Sequence, residues 1–328
     1  MRFLATDQTH PLQAALLRAA EITGELSVAS LRALSPLSDK AQVLVDRAVV
    51  SVGLQRLVVA ADVMAAGLTY PLTDPLSVTQ LEWESISKTG GAQRTMNPSA
   101  RGEFQLPNRT INRLPIYLTT DDFSLGIRTL KMSQRVGQPL DTTLVEQATR
   151  RVNEAIEDAM INGAGVTVGG YGAPGLLNAP NANTYDITIN WNTTATGDQI
   201  RVDVMNMIAL LQGDLKFGPY NLYVGTAYGN SLTADFKANG DKSIIARLQE
   251  IQAGGRALII KVADQMPTTT VALVQMTEDV VQMVVGQPPT VIPWTSLDGF
   301  TLFWLVMAIM VQRVRSDYDG NSGIVIGT

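Results

Sequence analysis

Carboxylates come in three close groups in this sequence: Asp121-Asp122, Glu278-Asp279 and Asp317-Tyr318-Asp319. Two carboxyl groups sharing a cleft suit general acid and base work, because each environment sets a different proton affinity. Adjacent residues on a strand point to opposite faces, however, so neighbouring carboxylates do not make such a dyad by sequence alone. Asp317, Asp319 and Asn321 have the every-other-residue oxygen spacing of a calcium loop, with Gly320 to turn the chain. The run lacks the later bidentate glutamate that such a loop needs, so a solvated turn is expected. The stretch from Gly163 to Gly175 is glycine-rich and loosely like a phosphate-cradling fingerprint. That fingerprint requires a strand before the glycines and a helix opening on them. Here a helical pattern precedes and Pro174 follows, and tight turns are expected instead.

His10 is the sole histidine and cysteine is absent. This removes disulfides, thiolate zinc sites, cysteine nucleophiles, and every triad or metal cluster with more than one imidazole. No catalytic, metal or cofactor-binding residue is expected, and no cofactor. What remains is a set of cations around one tryptophan: Lys88, Arg94, Arg101, Arg109 and Arg113, with Trp83. These cations suit pairing with carboxylates on a neighbouring subunit, or facing a packaged polyanion. The plain alternative is a solvated surface that keeps an exposed edge from aggregating. Trp83 is the candidate anchor, since aromatics dominate interface hot spots.

The elements that must carry these residues follow from periodicity. Residues 12–20 and 41–60 have helical composition, punctuated by Ser35-Pro36. From Tyr70 to Leu130 two alternating limbs flank a Gly/Asn/Pro/Ser-rich tip, which predicts a long β-hairpin. Its limbs carry few apolar residues, and an isolated hairpin is marginal in water, so it is expected to lie on another subunit. A long helix follows, with Asp141 or Thr143 as cap and Thr143-Leu-Val-Glu146 in capping-box form. Its apolar stripe is Leu144, Val145, Ala148, Val152, Ala155, Ile156, Ala159 and Met160, with Glu146, Arg150, Glu154 and Glu157 on other faces, and Asn162-Gly163 ends it. Beyond Thr196 the pattern is mixed: helices over 198–212 and 243–252, and strands over 220–224, 257–262, 271–276 and 280–285. A Pro-rich turn, Gly286-Gln-Pro-Pro289, then precedes a long strand over 301–315 and a closing one over 323–326. Met205, Met207, Met276, Met283, Met307 and Met310 are expected to fill core gaps.

The chain has 328 residues, 45% hydrophobic but only 17% charged, with net charge −5. A negative chain is not drawn onto phosphate backbones or anionic lipid by its overall field. The first twenty residues, interrupted by Asp7, His10 and Pro11, make a poor signal peptide. Phe300–Val311, the longest apolar run, falls well short of the roughly 20 residues a membrane span needs. A cytosolic product without membrane contact is expected. The low charged fraction fits a surface largely buried against neighbours.

The order of parts, an arm, a long hairpin, one spine helix, a glycine-rich connection, a mixed α/β lobe and a long terminal strand, resembles the major capsid proteins of Hong Kong 97-type tailed phages. Its encapsulin-like branch is the nearer likeness. The residues that carry it are Glu146–Gly163, Tyr171-Gly-Ala-Pro-Gly-Leu-Leu-Asn178 and Gly218-Pro-Tyr-Asn-Leu-Tyr-Val-Gly-Thr-Ala-Tyr228. The resemblance implies an α+β fold with an N-terminal arm (1–69), an E-loop hairpin (70–130), a P-domain with spine helix (131–195), an A-domain (196–294) and a C-terminal P-domain strand (295–328). It implies a non-enzymatic tile that assembles in the host cytoplasm into pentamers and hexamers of an icosahedral head. Its partners would be a portal, separate scaffolding, protease or decoration proteins, and double-stranded DNA held non-specifically. Some members cross-link covalently through an E-loop lysine. Lys88 is the lysine available, but no matching asparagine or glutamate stands out, and no cross-link is expected. The alternatives are an encapsulin compartment enclosing a cargo enzyme, and an α/β hydrolase or nucleotide-binding enzyme.

Overall fold

A computed structural model of the chain describes residues 57–89, 94, 96, 106–128, 143–237, 242–253, 255–296 and 300–328. The expected helix over 12–20, the part of the expected helix over 41–60 that precedes residue 57, the rest of the arm before residue 57 and the hairpin tip lie outside the described residues. In chain order the elements are α1 (Val59–Ala65), β1 (Thr69–Pro71), β2 (Gln80–Ile86), β3 (Arg109–Pro115), β4 (Thr119–Gly126) and α2 (Thr143–Asn162). A small hairpin, β5 (Thr167–Val168) and β6 (Tyr171–Gly172), leads to β7 (Asn183–Tyr185) and α3 (Gly197–Gly213). Then come β8 (Tyr220–Val224), α4 (Thr226–Leu232), α5 (Ile244–Gln249), β9 (Gln252–Ala253) and β10 (Arg256–Ala257). The last are β11 (Ile259–Val262), β12 (Val271–Gln275), β13 (Val281–Thr295), β14 (Thr301–Val314) and β15 (Ile324–Gly327).

β14 is apolar on both faces because both faces are covered. Its Trp304, Val306, Ala308 and Met310 pack into a core shared with Val145, Ala148, Val152 and Ile156 of α2. Its Met307, Ile309 and Val311 pack the other way, with Leu114 of the hairpin, Ile116 and Ala173. The sheet order is β1-β13-β14-β4, with β1 parallel to β13 and the other pairs antiparallel. A second sheet, β11-β8-β12-β15-β7, packs one face on α3, α4 and α5 in a separate core, while Tyr223, Ala272, Val274, Ile324 and Ile326 on its other face join the first core. Here the chain's last strand, β15, runs between β12 and β7.

Four expectations are corrected. Gly286-Gln-Pro-Pro289 is not a turn but an irregularity inside β13, whose register against β14 shifts between Val285, Gln287 and Thr290. Prolines cannot donate to a ladder and are tolerated where it breaks. Gly286 also lets Pro75 approach, since a Cβ there would lie 2.4 Å from the Pro75 Cβ. Met205 is not core but faces solvent on α3, while the other five methionines are buried. Leu144 and Ala155 of α2 are exposed. Glu157, assigned to an outer face, is buried at the margin of the apolar stripe.

The helix boundaries have local causes. α2 opens at Thr143, and Asp141 lies outside the described residues. It ends at Gly163, whose φ of +88° suits glycine. Asn178 ties that end down, donating to the Asn162 carbonyl (3.0 Å) and accepting from the Gly175 amide. α3 starts at a capping box in which the Gln199 side chain accepts from the Thr196 amide (2.8 Å) and Thr196 Oγ1 accepts from the Gln199 amide. The glycine-rich connection is made of tight turns, with Gly169-Gly170 at positive φ joining β5 to β6.

Candidate assembly interface

The β2–β3 hairpin carries most of the candidate residues, and its register fixes which way each faces. Leu81 opposes Leu114, Trp83 opposes Asn112 and Ser85 opposes Thr110 on one face. Glu82 opposes Arg113, Glu84 opposes Ile111 and Ile86 opposes Arg109 on the other. The first face is seated on the chain's own body: Leu81, Trp83 and Leu114 join the core that contains Val284, Ile309 and Val311. The hairpin's base is therefore not left for another subunit to cover.

Trp83 lies over the guanidinium of Arg313, 4.5 Å from the ring centroid, and the Tyr70 ring lies 5.6 Å from the same cation. Arg313 sits in β14 and is buried. Loss of water and the nearby Arg315 pull its pKa down to about 10, which leaves it cationic at neutral pH. Its Nη1 donates to Gln282 Oε1 at 3.3 Å. The two aromatic faces take over much of the role water would play for this cation.

The other candidates have shorter reach. Arg113 Nε pairs with Glu82 (2.7 Å) and its guanidinium approaches the Tyr171 ring, and Arg109 Nη1 pairs with Glu84 (3.0 Å). These exposed pairs zip the strands together and each contributes little. Lys88 reaches Asp319 at 3.6 Å, and Gln80 donates to the Val168 carbonyl. Arg94 is exposed, and Arg101 lies outside the described residues. Ile86, Ile111, Leu106 and Met96, toward the far end of the hairpin, stand exposed. The hairpin thus has a seated base and an apolar end in solvent.

Trp83→Ala should remove about 2 kcal/mol of local stability from this seat, roughly a 30-fold rise in the population of the lifted hairpin. Limited trypsin digestion within residues 87–108 should accelerate accordingly, with Trp83→Phe close to the wild type. An unchanged cleavage rate would show that the Trp83–Arg313 contact does not hold the hairpin.

Four of the clustered carboxylates, Asp121, Asp279, Asp317 and Asp319, form ion pairs. Asp121 pairs with Arg151 of α2 at 2.8 Å, while Asp122, on the opposite face of β4, is exposed. Lys216, buried just past α3, pairs with Asp279 and, at 3.5 Å, with Asp317. The Glu278 carbonyl accepts from Arg315. The 317–321 turn closes on itself, the Asp317 amide donating to the Asn321 carbonyl at 3.0 Å. Among the described residues no group of three or more His, Asp or Glu side chains is placed to hold a metal. A cleft of about 240 Å³ under the hairpin is lined by Trp83, Ser85, Asn112, Arg315, Asp317 and Tyr318. In chemical terms these residues fasten segments to one another.

Lys216 gives this junction a pH signature. Burial pushes the Asp279 carboxyl up, but hydrogen bonds from Lys216 and Thr277 outweigh it and hold the pKa below the usual value. A lowered carboxylate pKa stabilises the fold above the unfolded value and loses that contribution as pH falls through the folded one. Lys216→Met should therefore destabilise the protein more at neutral pH than near pH 3, read as the difference in urea midpoints at the two pH values.

Sequence reasoning found Trp83 and its cations but not their seat. Arg313 is the partner it missed, and the signal was a cation inside an otherwise apolar strand. Glu157, which caps α1 from α2, was also missed, because its position lies at the edge of the helical stripe.

Comparison with known proteins gives two kinds of likeness. No curated protein matches the sequence. In structure, the capsid of Myoviridae Phage XM1 aligns with a TM-score of 0.61 at 13% identity, covering 76% of this chain and 86% of that one. A virus-like particle from Pyrococcus furiosus aligns at 0.59 and 15%, covering 87% and 98%. The capsid of a native GTA particle aligns at 0.58 and 13%, covering 83% and 90%. The shared property at these identities is the fold: α+β, of the Hong Kong 97-like capsid type. In sequence, residues 70–327 match the model of a family of unknown function, DUF6260. That span takes in the hairpin, the spine helix and both sheets, and the chain belongs to the DUF6260 family.

Proposed function

We propose that this chain is a major capsid protein, self-assembling into the icosahedral head shell of a tailed double-stranded DNA bacteriophage. The observation that carries the reading is a capsid-type fold matched over most of this chain and most of each neighbour. The hairpin adds to it: a seated base and an exposed apolar end fit a projection that overlaps a neighbouring tile. The subunits form pentamers and hexamers, assemble in the host cytoplasm and end in the virion. A portal, separate scaffolding, protease or decoration proteins, and non-specifically held DNA are its partners. Its work is structural, without a catalytic step, and it needs no membrane.

A compartment shell enclosing a protein cargo is the second reading. The Pyrococcus furiosus virus-like particle favours it, with 98% of that chain aligned. Electron microscopy of the purified full chain tests both. Closed shells are expected, and a small monodisperse oligomer at high concentration would overturn either reading. Nuclease-protected DNA in particles from the native source supports the phage head, whereas a co-purifying stoichiometric protein cargo supports the compartment.

A further inference from the structure

Asp74-Pro75 is the one Asp-Pro pair in the sequence, and it stands in the turn that joins β1 to the β2–β3 hairpin. The backbone there is strained. Asp74 has a φ of +50°, in the left-handed region that L-residues other than glycine seldom enter. A proline ring crowds the residue before it and drives that residue toward extended backbone at negative φ, so Pro75 adds to the conflict. Such a position persists only where the fold holds both of its sides. On one side β1 is laddered to β13, and the Leu72 amide continues the ladder by donating to the Val285 carbonyl at 3.0 Å. On the other, Pro75 lies against Gly286 at the irregularity in β13.

The carbonyl of the same bond is polarised. It accepts from the Ser77 hydroxyl at 2.9 Å and from the Ser77 amide at 3.2 Å. Two donors on one carbonyl oxygen suit negative charge developing there. Asp74 is exposed, so water reaches the bond. β13, the strand under the turn, has no charged residue, and Arg313, the one in β14, is taken up by Tyr70 and Trp83. Neither strand therefore offers a free cation to hold the Asp74 carboxyl ionised.

We propose that the Asp74-Pro75 bond is a self-cleavage site built into the fold. In its acid form, an Asp74 side-chain oxygen attacks the Asp74 main-chain carbonyl carbon and closes a five-membered cyclic anhydride. The C–N bond breaks, and the carboxyl proton passes to the Pro75 nitrogen, which leaves as a secondary amine. Water then opens the anhydride, giving residues 1–74 and 75–328 with one water added. Attacking and attacked groups belong to one residue, the Ser77 donors stabilise the oxyanion, and rupture relieves the strain at Asp74. β1 keeps its ladder to β13 and the hairpin base keeps its seat, so the pieces stay together while the hairpin loses its covalent tie to α1. The reaction requires the folded chain and not a closed shell.

Full-length protein near pH 5, its fold confirmed by circular dichroism, should convert to two fragments whose masses sum to the intact mass plus one water, with Pro75 as the new N-terminus. The same chain unfolded in urea at that pH should cleave at least tenfold more slowly. Asp74→Asn should stay intact, and Ser77→Ala, with an unchanged circular-dichroism melt, should cleave several-fold more slowly. A folded chain that stays intact overturns the proposal, as does a rate equal to that in urea, which leaves only the ordinary acid lability of an Asp-Pro bond. An unchanged rate in Ser77→Ala, or a cut that persists in Asp74→Asn, overturns it too.

Discussion

Replacing Glu157 by alanine is expected to destabilise the protein by about 3 kcal/mol, because three amide donors, two of them buried and one half-buried, would lose their acceptor. Glu157 is 1% exposed on α2. Its Oε1 accepts from the amides of Val58 (3.1 Å) and Val59 (2.7 Å), and its Oε2 from that of Ala60 (3.1 Å). These are among the amides that the start of α1 leaves without intrahelical partners, and the Val58 side chain offers no cap. The carboxylate also sits where the helix end favours negative charge. Burial is the main influence on its pKa and raises it, the three amides pull it down, and Asp264 pushes it up, with a net rise. A raised carboxyl pKa means that the folded state takes up a proton more readily than the unfolded one. Its stabilising contribution is complete below the unfolded value and is lost as pH rises through the folded one. Wild type should therefore gain on Glu157→Gln as pH falls from neutral toward the usual carboxylate range. Urea unfolding of wild type, Glu157→Ala and Glu157→Gln across that range reads both effects. A flat difference between wild type and Glu157→Gln would mean that the buried carboxyl does not titrate with folding.

Glu157 also shows where sequence reading stops. The spine helix was legible because eight residues at three- and four-residue spacing set its buried side, and six of them are buried. A charged residue at the margin of that stripe is assigned outward by periodicity, whereas the approach of α1 turns it inward. β8 and β14 were legible because a strand covered on both faces must be apolar throughout, and their bounds agree with expectation to within a residue. The Gly286 irregularity was not, because glycine next to two prolines signals a turn and a broken ladder equally well until the partner strand is known. For the candidate interface, residue types were visible and pairings were not. Trp83 meets Arg313 and Lys88 meets Asp319 across most of the chain's length, with no local pattern linking them. The resemblance in order of parts carried the fold further than any single motif, since each part is common and their sequence is not.

Trp191→Ala should cost about 4 kcal/mol, and its damage should stay within the second lobe. Trp191 lies in the connection between β7 and α3, is 2% exposed, and packs 5.2 Å from the Tyr228 ring of α4. Its Nε1 donates to Asp203 Oδ2 at 2.8 Å, while the Tyr185 hydroxyl donates to the other oxygen at 2.9 Å. Asp203 thus anchors β7 and the incoming loop onto α3 with two neutral donors. Alanine at 191 would leave a cavity and an unpaired carboxylate oxygen together, and few sites combine both penalties. Phenylalanine would keep most of the packing and lose the donor, at about 2 kcal/mol. The core between α3 and one face of β8 and β12, with Leu222, Val224, Val271 and Leu273, is a different cluster from that of α2 and β14, which takes Tyr223, Ala272 and Val274 from their other face. Hydrogen exchange should therefore accelerate in β8, β12 and α3 of Trp191→Ala while α2 and β14 keep wild-type protection. Uniform acceleration across both cores would show that the chain opens as one cooperative unit.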